Sequence, residues 1–134
     1  MKPRSDNNSV PRTAARRVED LEVYQMAYRL SLDVYRFSAG FPSEERYGLS
    51  SQLRRAIVSV PANIAEGFRR ESLKDKARFM DIALGSLEES RTFLKLARDL
   101  KLATDSPPLE AVDRSARALY SYRRAIVKRI KRNK

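Results

Sequence analysis

The sequence predicts an all-α protein that folds as an antiparallel up-down-up-down four-helix bundle. Apolar residues recur at spacings of three and four along four long stretches, and no window alternates convincingly between apolar and polar residues. The stretches are separated by short breaks that contain Gly or Pro. Because short connections make successive helices antiparallel neighbours, four such helices predict a bundle.

The first helix is predicted from Val18 to Ala39, where Gly40, Phe41 and Pro42 end it. Its main apolar stripe consists of Leu21, Tyr24, Tyr28, Leu32 and Tyr35. A second set widens this stripe and consists of Val23, Leu30, Val34 and Phe37. The row of tyrosines has two interpretations, a surface that stacks nucleobases or a part of the core. Its coincidence with the apolar stripe favours the core.

The second helix is predicted from Gly48 to Gly67. Its apolar stripe is formed by Leu49, Leu53, Ile57, Val60 and Ile64, with Ala56 as the small member between them. Pro61 lies inside the pattern, and because proline has no N–H, it should free the carbonyl of Ile57 and kink the helix. Gly67 is expected to end the helix in the left-handed conformation.

The third and fourth helices complete the bundle. Ser72, followed by Asp75 three residues later, predicts the start of a helix of about thirty residues. Its apolar positions are Leu73, Ala77, Met80, Leu84, Leu87, Phe93, Leu94, Ala97 and Leu100. The fourth helix is predicted from Pro108 to the C-terminus. Its apolar seam has residues at strictly alternating spacings of three and four, with one arginine among them. The seam consists of Leu109, Val112, Ala116, Leu119, Arg123, Ile126 and Ile130.

The composition excludes several classes of function. The chain has 134 residues and contains no Cys, His or Trp, so zinc fingers, thiol nucleophiles, haem ligation and Ser-His-Asp catalysis are all impossible. No apolar run approaches the length that spans a bilayer, and we expect residues 1–17 not to be a secretory signal because no apolar region follows their charges. Without Cys, a disulfide scaffold is impossible. We therefore expect a cytoplasmic protein without a cofactor or a metal.

Positive charge is concentrated at the two ends of the sequence. The net charge is +11, with 28 Lys and Arg against 17 Asp and Glu. Residues 1–17 hold five basic residues and one acid, and residues 114–134 hold nine basic residues and no acid. The sequence thus predicts a flexible basic arm over residues 1–17 and a bundle over residues 18–134 with a basic C-terminal helix end.

The acid-free C-terminal stretch is typical of a contact with a polyanion. The predicted nucleic-acid-binding residues are Arg117, Arg123, Arg124, Lys128, Arg129, Lys131 and Arg132. On a helix these residues surround most of the circumference, so contacts to phosphate would be nonspecific and sensitive to salt. The alternative is a frayed, solvated helix end.

Two further groups of polar residues have open interpretations. The segment from Ser59 to Gly67 (SVPANIAEG) places polar groups beside a proline, which indicates either a polar pocket or the satisfaction of a broken helix. The helical acids Asp81, Glu88, Glu89 and Asp99 could hold magnesium in a nuclease, or pair with Arg78, Arg91, Lys95 and Arg98 on the surface. We expect the second interpretation in both cases, and no enzyme activity.

The order of the motifs resembles a known family. The chain reads LEVYQMA from Leu21, FP at Phe41, ERYGL from Glu45, QLRRA from Gln52, SVPANIAEG, and then ALGSLEE from Ala83. This order resembles the four-helix bundle family of proteins encoded in 23S rRNA intervening sequences, and it is similar to the accessory variability proteins of diversity-generating retroelements. The residues of the resemblance are Tyr47, Gly48, Gln52, Arg55, Ser59, Pro61, Asn63, Glu66, Gly67, Gly85, Ser86 and Glu88.

The resemblance implies a ring-like homopentamer of four-helix bundles. Among the retroelement relatives it also implies a basic surface that binds nucleic acid and a reverse transcriptase. It extends over about residues 18–102, so the basic C-terminal helix end lies outside it. The resulting hypothesis is a non-enzymatic oligomer that binds structured RNA or DNA with low specificity. The alternative is a protein-binding or scaffolding module whose basic tail serves solubility.

Overall fold

The computed structural model describes residues 15–133. The four helices are α1 (Glu22–Ser38), α2 (Leu49–Phe68), α3 (Leu73–Asp99) and α4 (Leu109–Arg132), with 3-10 turns at Val18–Asp20 and Ser43–Glu45. No strand occurs among the described residues. The prediction of four helices is therefore confirmed. Most of the predicted N-terminal arm, residues 1–14, lies outside the described part of the chain.

The packing of the helices closes them into a bundle. Each helix packs against its neighbour in sequence, and α1 also packs against α4. Within residues 15–133, the backbone of α1 does not closely approach that of α3, nor does that of α2 approach α4, as expected when four helices occupy the corners of a square. The start of α1, the α2–α3 turn and the end of α4 consequently lie at one end of the bundle. The connections α1–α2 and α3–α4 lie at the other end.

The face of α1 that lies in the core differs from the predicted one. The buried residues are Val23, Ala27, Leu30, Val34 and Phe37. The predicted main stripe is wrong, because Tyr28, Leu32 and Tyr35 are 52%, 43% and 41% exposed. This helix is apolar on two adjacent faces. The face with smaller side chains allows closer packing against α2 and α4, whereas the tyrosine hydroxyls reach water.

The buried faces of the other helices follow the predicted stripes closely. Leu53, Ile57, Val60 and Ile64 of α2 are buried, and so are Met80, Leu87, Leu94 and Ala97 of α3 and Val112, Leu119 and Ile126 of α4. Leu100 was expected to extend the α3 stripe, but it is exposed because α3 ends one residue earlier.

Two helix ends show how side chains and backbone fix the boundaries. Ser72 caps α3 as predicted, since its hydroxyl accepts a hydrogen bond from the Asp75 N–H at 3.1 Å. The first predicted helix begins four residues late, at Glu22, because Leu21 is extended. Before it, the N–H groups of Arg17 and Arg16 donate to the Asp20 carboxylate at 3.2 Å, and these bonds lower the pKa of Asp20.

Gly67 does not have the left-handed conformation that the sequence suggested, since no described glycine has a positive φ. It lies inside α2, where a Cβ would stand 2.8 Å from the Cβ of Phe79 on α3. The glycine is needed for close approach of the two helices. The left-handed residue is Lys101, with φ 58°, just after α3. The helix α2 is continuous across Pro61, and the kink stays a prediction.

Candidate nucleic-acid interface

From Arg117 to its C-terminal end, α4 presents a row of positive charge to solvent. Arg117, Arg124, Lys128 and Lys131 follow one another at spacings of seven, four and three, so they share one helix face. All four are exposed, and they lie opposite the buried residues of α4. No carboxylate among residues 15–133 lies within 4.0 Å of them. We call these four residues the basic ridge.

The other three predicted contact residues on α4 are placed differently. Arg132 is exposed at the last turn, and Arg129 is exposed beside the ridge. Arg123 points towards α3, where its guanidinium forms an ion pair with Asp81. Asp81 was expected to pair with one of the arginines or the lysine of its own helix. The cross-helix pair leaves Arg123 less available to a phosphate than the basic ridge.

The topology brings two further basic segments to the same end of the bundle as the C-terminal turns of α4. These are Arg16 and Arg17 before α1, and a group in and around the α2–α3 turn that comprises Arg69, Arg70, Lys74, Lys76 and Arg78. We define the basic end as residues 15–24, 64–82 and 119–133. It holds 13 Lys and Arg against seven Asp and Glu, a net charge of +6. The remaining described residues have 11 against nine, so most of the described excess is located at one end.

Two cations in and around the α2–α3 turn, Lys76 and Arg70, are held by specific contacts. The Lys76 ammonium donates to the carbonyls of Phe68 at 2.8 Å and Gly67 at 3.4 Å, which satisfies the C-terminal end of α2. The guanidinium of Arg70 lies 4.9 Å from the centroid of the Phe79 ring and pairs with Glu66. The fold thus positions these two positive groups, whereas Arg69 and Lys74 are exposed.

Like charges are crowded where the turn meets α4. Partial burial lowers the pKa of Lys76, and the positive charge of Arg129 lowers it further. The unfolded chain therefore binds this proton more tightly than the folded protein. Stability should consequently rise with pH between the folded-state pKa and the ordinary value near 10.5. A bound polyanion would relieve the same repulsion.

The segment from Ser59 to Gly67 satisfies its own polar groups. The Asn63 amide donates to the carbonyl and the hydroxyl of Ser59, both at 2.8 Å, and the Ser86 hydroxyl on α3 donates to the Ser59 hydroxyl at 2.9 Å. The Ile57 carbonyl freed by the proline accepts from the Ser31 hydroxyl of α1, at 3.4 Å. These contacts support the structural interpretation over a polar pocket.

The remaining residues of the resemblance fall into two groups. Pro61 and Gly67 are buried between helices and Gly48 is half-buried, whereas the other six are exposed, namely Tyr47, Gln52, Arg55, Glu66, Gly85 and Glu88. Of the exposed ones, Glu66 is paired with Arg70 and therefore does not form a site with Asn63. The structure thus joins Ser59, Asn63 and Ser86 by hydrogen bonds. Tyr47 and Arg55 line one groove, and Gly85 and Glu88 line another.

Two other properties bear on the chemistry of the molecule. Among residues 15–133, no group of three acidic side chains is arranged to hold a metal ion. No described helix combines the length and the apolar character needed to cross a membrane.

A comparison with protein families confirms the resemblance to the 23S rRNA intervening-sequence proteins. A family model described as 23S rRNA-intervening sequence protein matches residues 19–118, which is three quarters of the chain. The match reaches the middle of α4 and includes Arg117, but the other six predicted contact residues lie beyond it. A comparison with curated proteins found no match.

Proposed function

Because the chain belongs to the family of 23S rRNA-intervening sequence proteins, we propose that it is a non-enzymatic, oligomeric bundle of the cytoplasm that binds RNA or DNA. The observation that supports binding most strongly is the basic end, where three segments distant in sequence give a net charge of +6. Three residues of the basic ridge, Arg124, Lys128 and Lys131, belong to this end, and Arg117 extends it along α4. A polyanion is the partner whose chemistry fits such a surface.

The proposed contacts are to the phosphate backbone. Lysine and arginine side chains on the outside of a helix bundle neutralise phosphates and release the counterions that surround nucleic acid. Without Cys or His the chain cannot form a zinc finger, one of the motifs that read base edges in a groove. We therefore propose binding of low sequence specificity that depends on the shape and the charge of a structured RNA or DNA.

A binding titration against salt tests this proposal. Each neutralised phosphate adds about 0.9 to the slope of log affinity against log salt for duplex DNA. With four ridge residues in contact, the expected slope is about −4 or steeper. Fluorescence anisotropy with a labelled duplex between about 50 and 200 mM salt measures this slope, since binding is tight at the lower of these concentrations. A slope near zero contradicts the proposal.

An exposed apolar surface supports the oligomer and favours a second candidate function, a protein-binding scaffold. Tyr28, Leu32 and Tyr35 of α1 lie beside Val58 and Ala62 of α2, around a shallow groove of about 410 Å³. Exposed apolar groups that lie next to one another typically mark a protein interface. We propose that this surface joins copies of the chain, and that the oligomer is the pentamer implied by the family.

Leu32→Lys is expected to lower the mass of the particle in solution, because it places a charge in the proposed interface. Light scattering should give five times the 15.4 kDa of one chain for the unmodified protein and a smaller multiple for the variant. Leu96→Lys is the matched control, since Leu96 has a similar exposure (44%) on α3 and lies outside this surface. A mass near 15.4 kDa for the unmodified protein contradicts the oligomer.

The similarity to the accessory variability proteins adds one partner to the proposal. Where a retroelement encodes the chain, we propose a reverse transcriptase as that partner, bound through the protein's basic surfaces. Co-purification of the two proteins tests this partnership.

A further inference from the structure

A second concave surface lies at the opposite end of the bundle from the basic end. It is an open groove of about 600 Å³ between the end of α1 and the start of α2. Three arginines line it, Arg46, Arg54 and Arg55, and no Asp or Glu does. Two tyrosines, Tyr35 and Tyr47, lie on its borders. Its volume falls within the range of small-molecule sites.

Arg54 is fixed in position by its surroundings. Its Nε–H donates to the hydroxyl of buried Ser38 at 2.8 Å, and one Nη2–H donates to the Tyr35 carbonyl at 3.1 Å. The guanidinium lies 4.4 Å from the centroid of the Tyr35 ring. Two of its five N–H groups are used in this way, so three remain for a ligand. Because the side chain is already ordered, a ligand loses less entropy when it binds.

The other two arginines have no counter-charge. Arg46 and Arg55 are exposed, and neither they nor Arg54 have a carboxylate within 4.0 Å among residues 15–133. The nearby Glu45 carboxylate accepts from the Leu49 N–H at 3.2 Å, at the start of α2. Three uncompensated guanidiniums in one groove favour an anion, and planar guanidinium groups match the geometry of phosphate.

An aromatic ring stands free beside this cluster. Tyr47 is 88% exposed, the highest value among the exposed large apolar and aromatic side chains. The Arg46 guanidinium lies 6.0 Å from the centroid of its ring. An exposed ring next to phosphate-binding cations is the combination that binds unpaired nucleotides, since a base stacks on the ring while its phosphate contacts the cations.

We infer that this groove binds one unpaired nucleotide of a single-stranded nucleic acid. The base stacks on Tyr47, and the phosphate contacts the guanidiniums of Arg54 and Arg55. The inference rests on the proposed function and specifies a second contact, with single strands, at the end of the bundle away from the ridge. It also gives a role to Tyr47 and Arg55, which the nucleic-acid surface described above does not use.

The experiment compares a labelled single-stranded RNA of six nucleotides with an RNA duplex, using the full chain. Tyr47→Ala and Arg55→Gln are each expected to weaken binding of the hexamer about tenfold and to leave duplex binding within twofold. Tyr47→Phe keeps the stacking surface and should retain the hexamer affinity. Because Tyr47 and Arg55 are exposed, none of these changes should affect folding, and circular dichroism checks this point.

Three outcomes would overturn the inference. The first is that both Tyr47→Ala and Arg55→Gln keep the hexamer affinity of the unmodified protein. If variants of the basic ridge still lose duplex binding in that case, the proposed function survives. The second is an equal loss for the hexamer and the duplex, which would mean that the groove contacts backbone without stacking a base. The third is that the groove variants have a lower mass by light scattering but an unchanged affinity for the hexamer. This result would assign the groove to contacts between proteins. Absence of binding to either probe at low salt would instead refute the proposed function itself.

Discussion

Replacing the four ridge residues Arg117, Arg124, Lys128 and Lys131 with glutamine is expected to weaken binding of duplex nucleic acid by roughly 4,000-fold at about 0.1 M salt. Each lost phosphate contact removes about 0.9 from the salt slope, and about 0.1 M lies one decade below 1 M, so each contact accounts for nearly a factor of ten. The slope should become shallower by about 3 to 4. Glutamine retains the length and the polarity of the side chains, so the helix should be preserved.

A matched variant separates the position of the charges from their number. Arg36, Lys95, Arg98 and Lys101 lie towards the other end of the bundle, and their replacement with glutamine changes the net charge by the same amount. This control should lose only the small affinity that follows from overall charge. Equal losses in the two variants would show that binding depends on net charge rather than on the ridge. An unaffected ridge variant would remove α4 from the interface.

Gly67→Ala is expected to destabilise the protein by about 1–2 kcal/mol. The new Cβ would stand 2.6 Å from the Met80 methyl carbon and 2.8 Å from the Cβ of Phe79. The methionine can move, but the Phe79 Cβ is fixed to the α3 backbone, so the two helices must separate slightly. Overpacking of this kind costs about 1–3 kcal/mol, and the better helix propensity of alanine offsets up to about 1 kcal/mol. Urea unfolding at one fixed protein concentration measures the change.

The chain contains a matched control on α3. A Cβ at Gly85 meets nothing within 4 Å among the described residues, so Gly85→Ala should stabilise the helix by about 0.5–1 kcal/mol. The two identical substitutions are therefore expected to have opposite signs. If Gly67→Ala stabilises the protein as much as Gly85→Ala does, the close approach of α2 and α3 is not the reason for the glycine.

The apolar periods along the chain contained most of the information about the bundle. They correctly predicted the buried faces of α2, α3 and α4, because each of these helices has one apolar side and a polar side opposite to it. They misplaced the buried face of α1, because two apolar stripes run side by side there. Only the packing against α2 and α4 selects the face of Ala27 and Leu30. Gly67 was misassigned for a related reason, since a glycine near a helix end can serve either a turn or a close contact between helices.

The candidate site was predictable only in part. The acid-free run of α4 is visible in the sequence. Its location at the same end of the bundle as Arg69, Arg70 and Lys74 depends on the direction of each helix. Short connections and an antiparallel topology could have indicated that the α2–α3 turn and the end of α4 share one end. The pairing of Arg123 with Asp81 was not predictable, because it joins two helices at a register that the periods do not define.

The closed up-and-down topology has a practical consequence for experiments. Residues 15 and 133 lie at the same end of the bundle, so a purification tag or a domain fused close to either residue would lie beside the proposed phosphate-binding surface. A reporter group belongs on the α3–α4 connection instead, where Asp105 is exposed. Because the chain contains no cysteine, Asp105→Cys would supply a single thiol for a dye there.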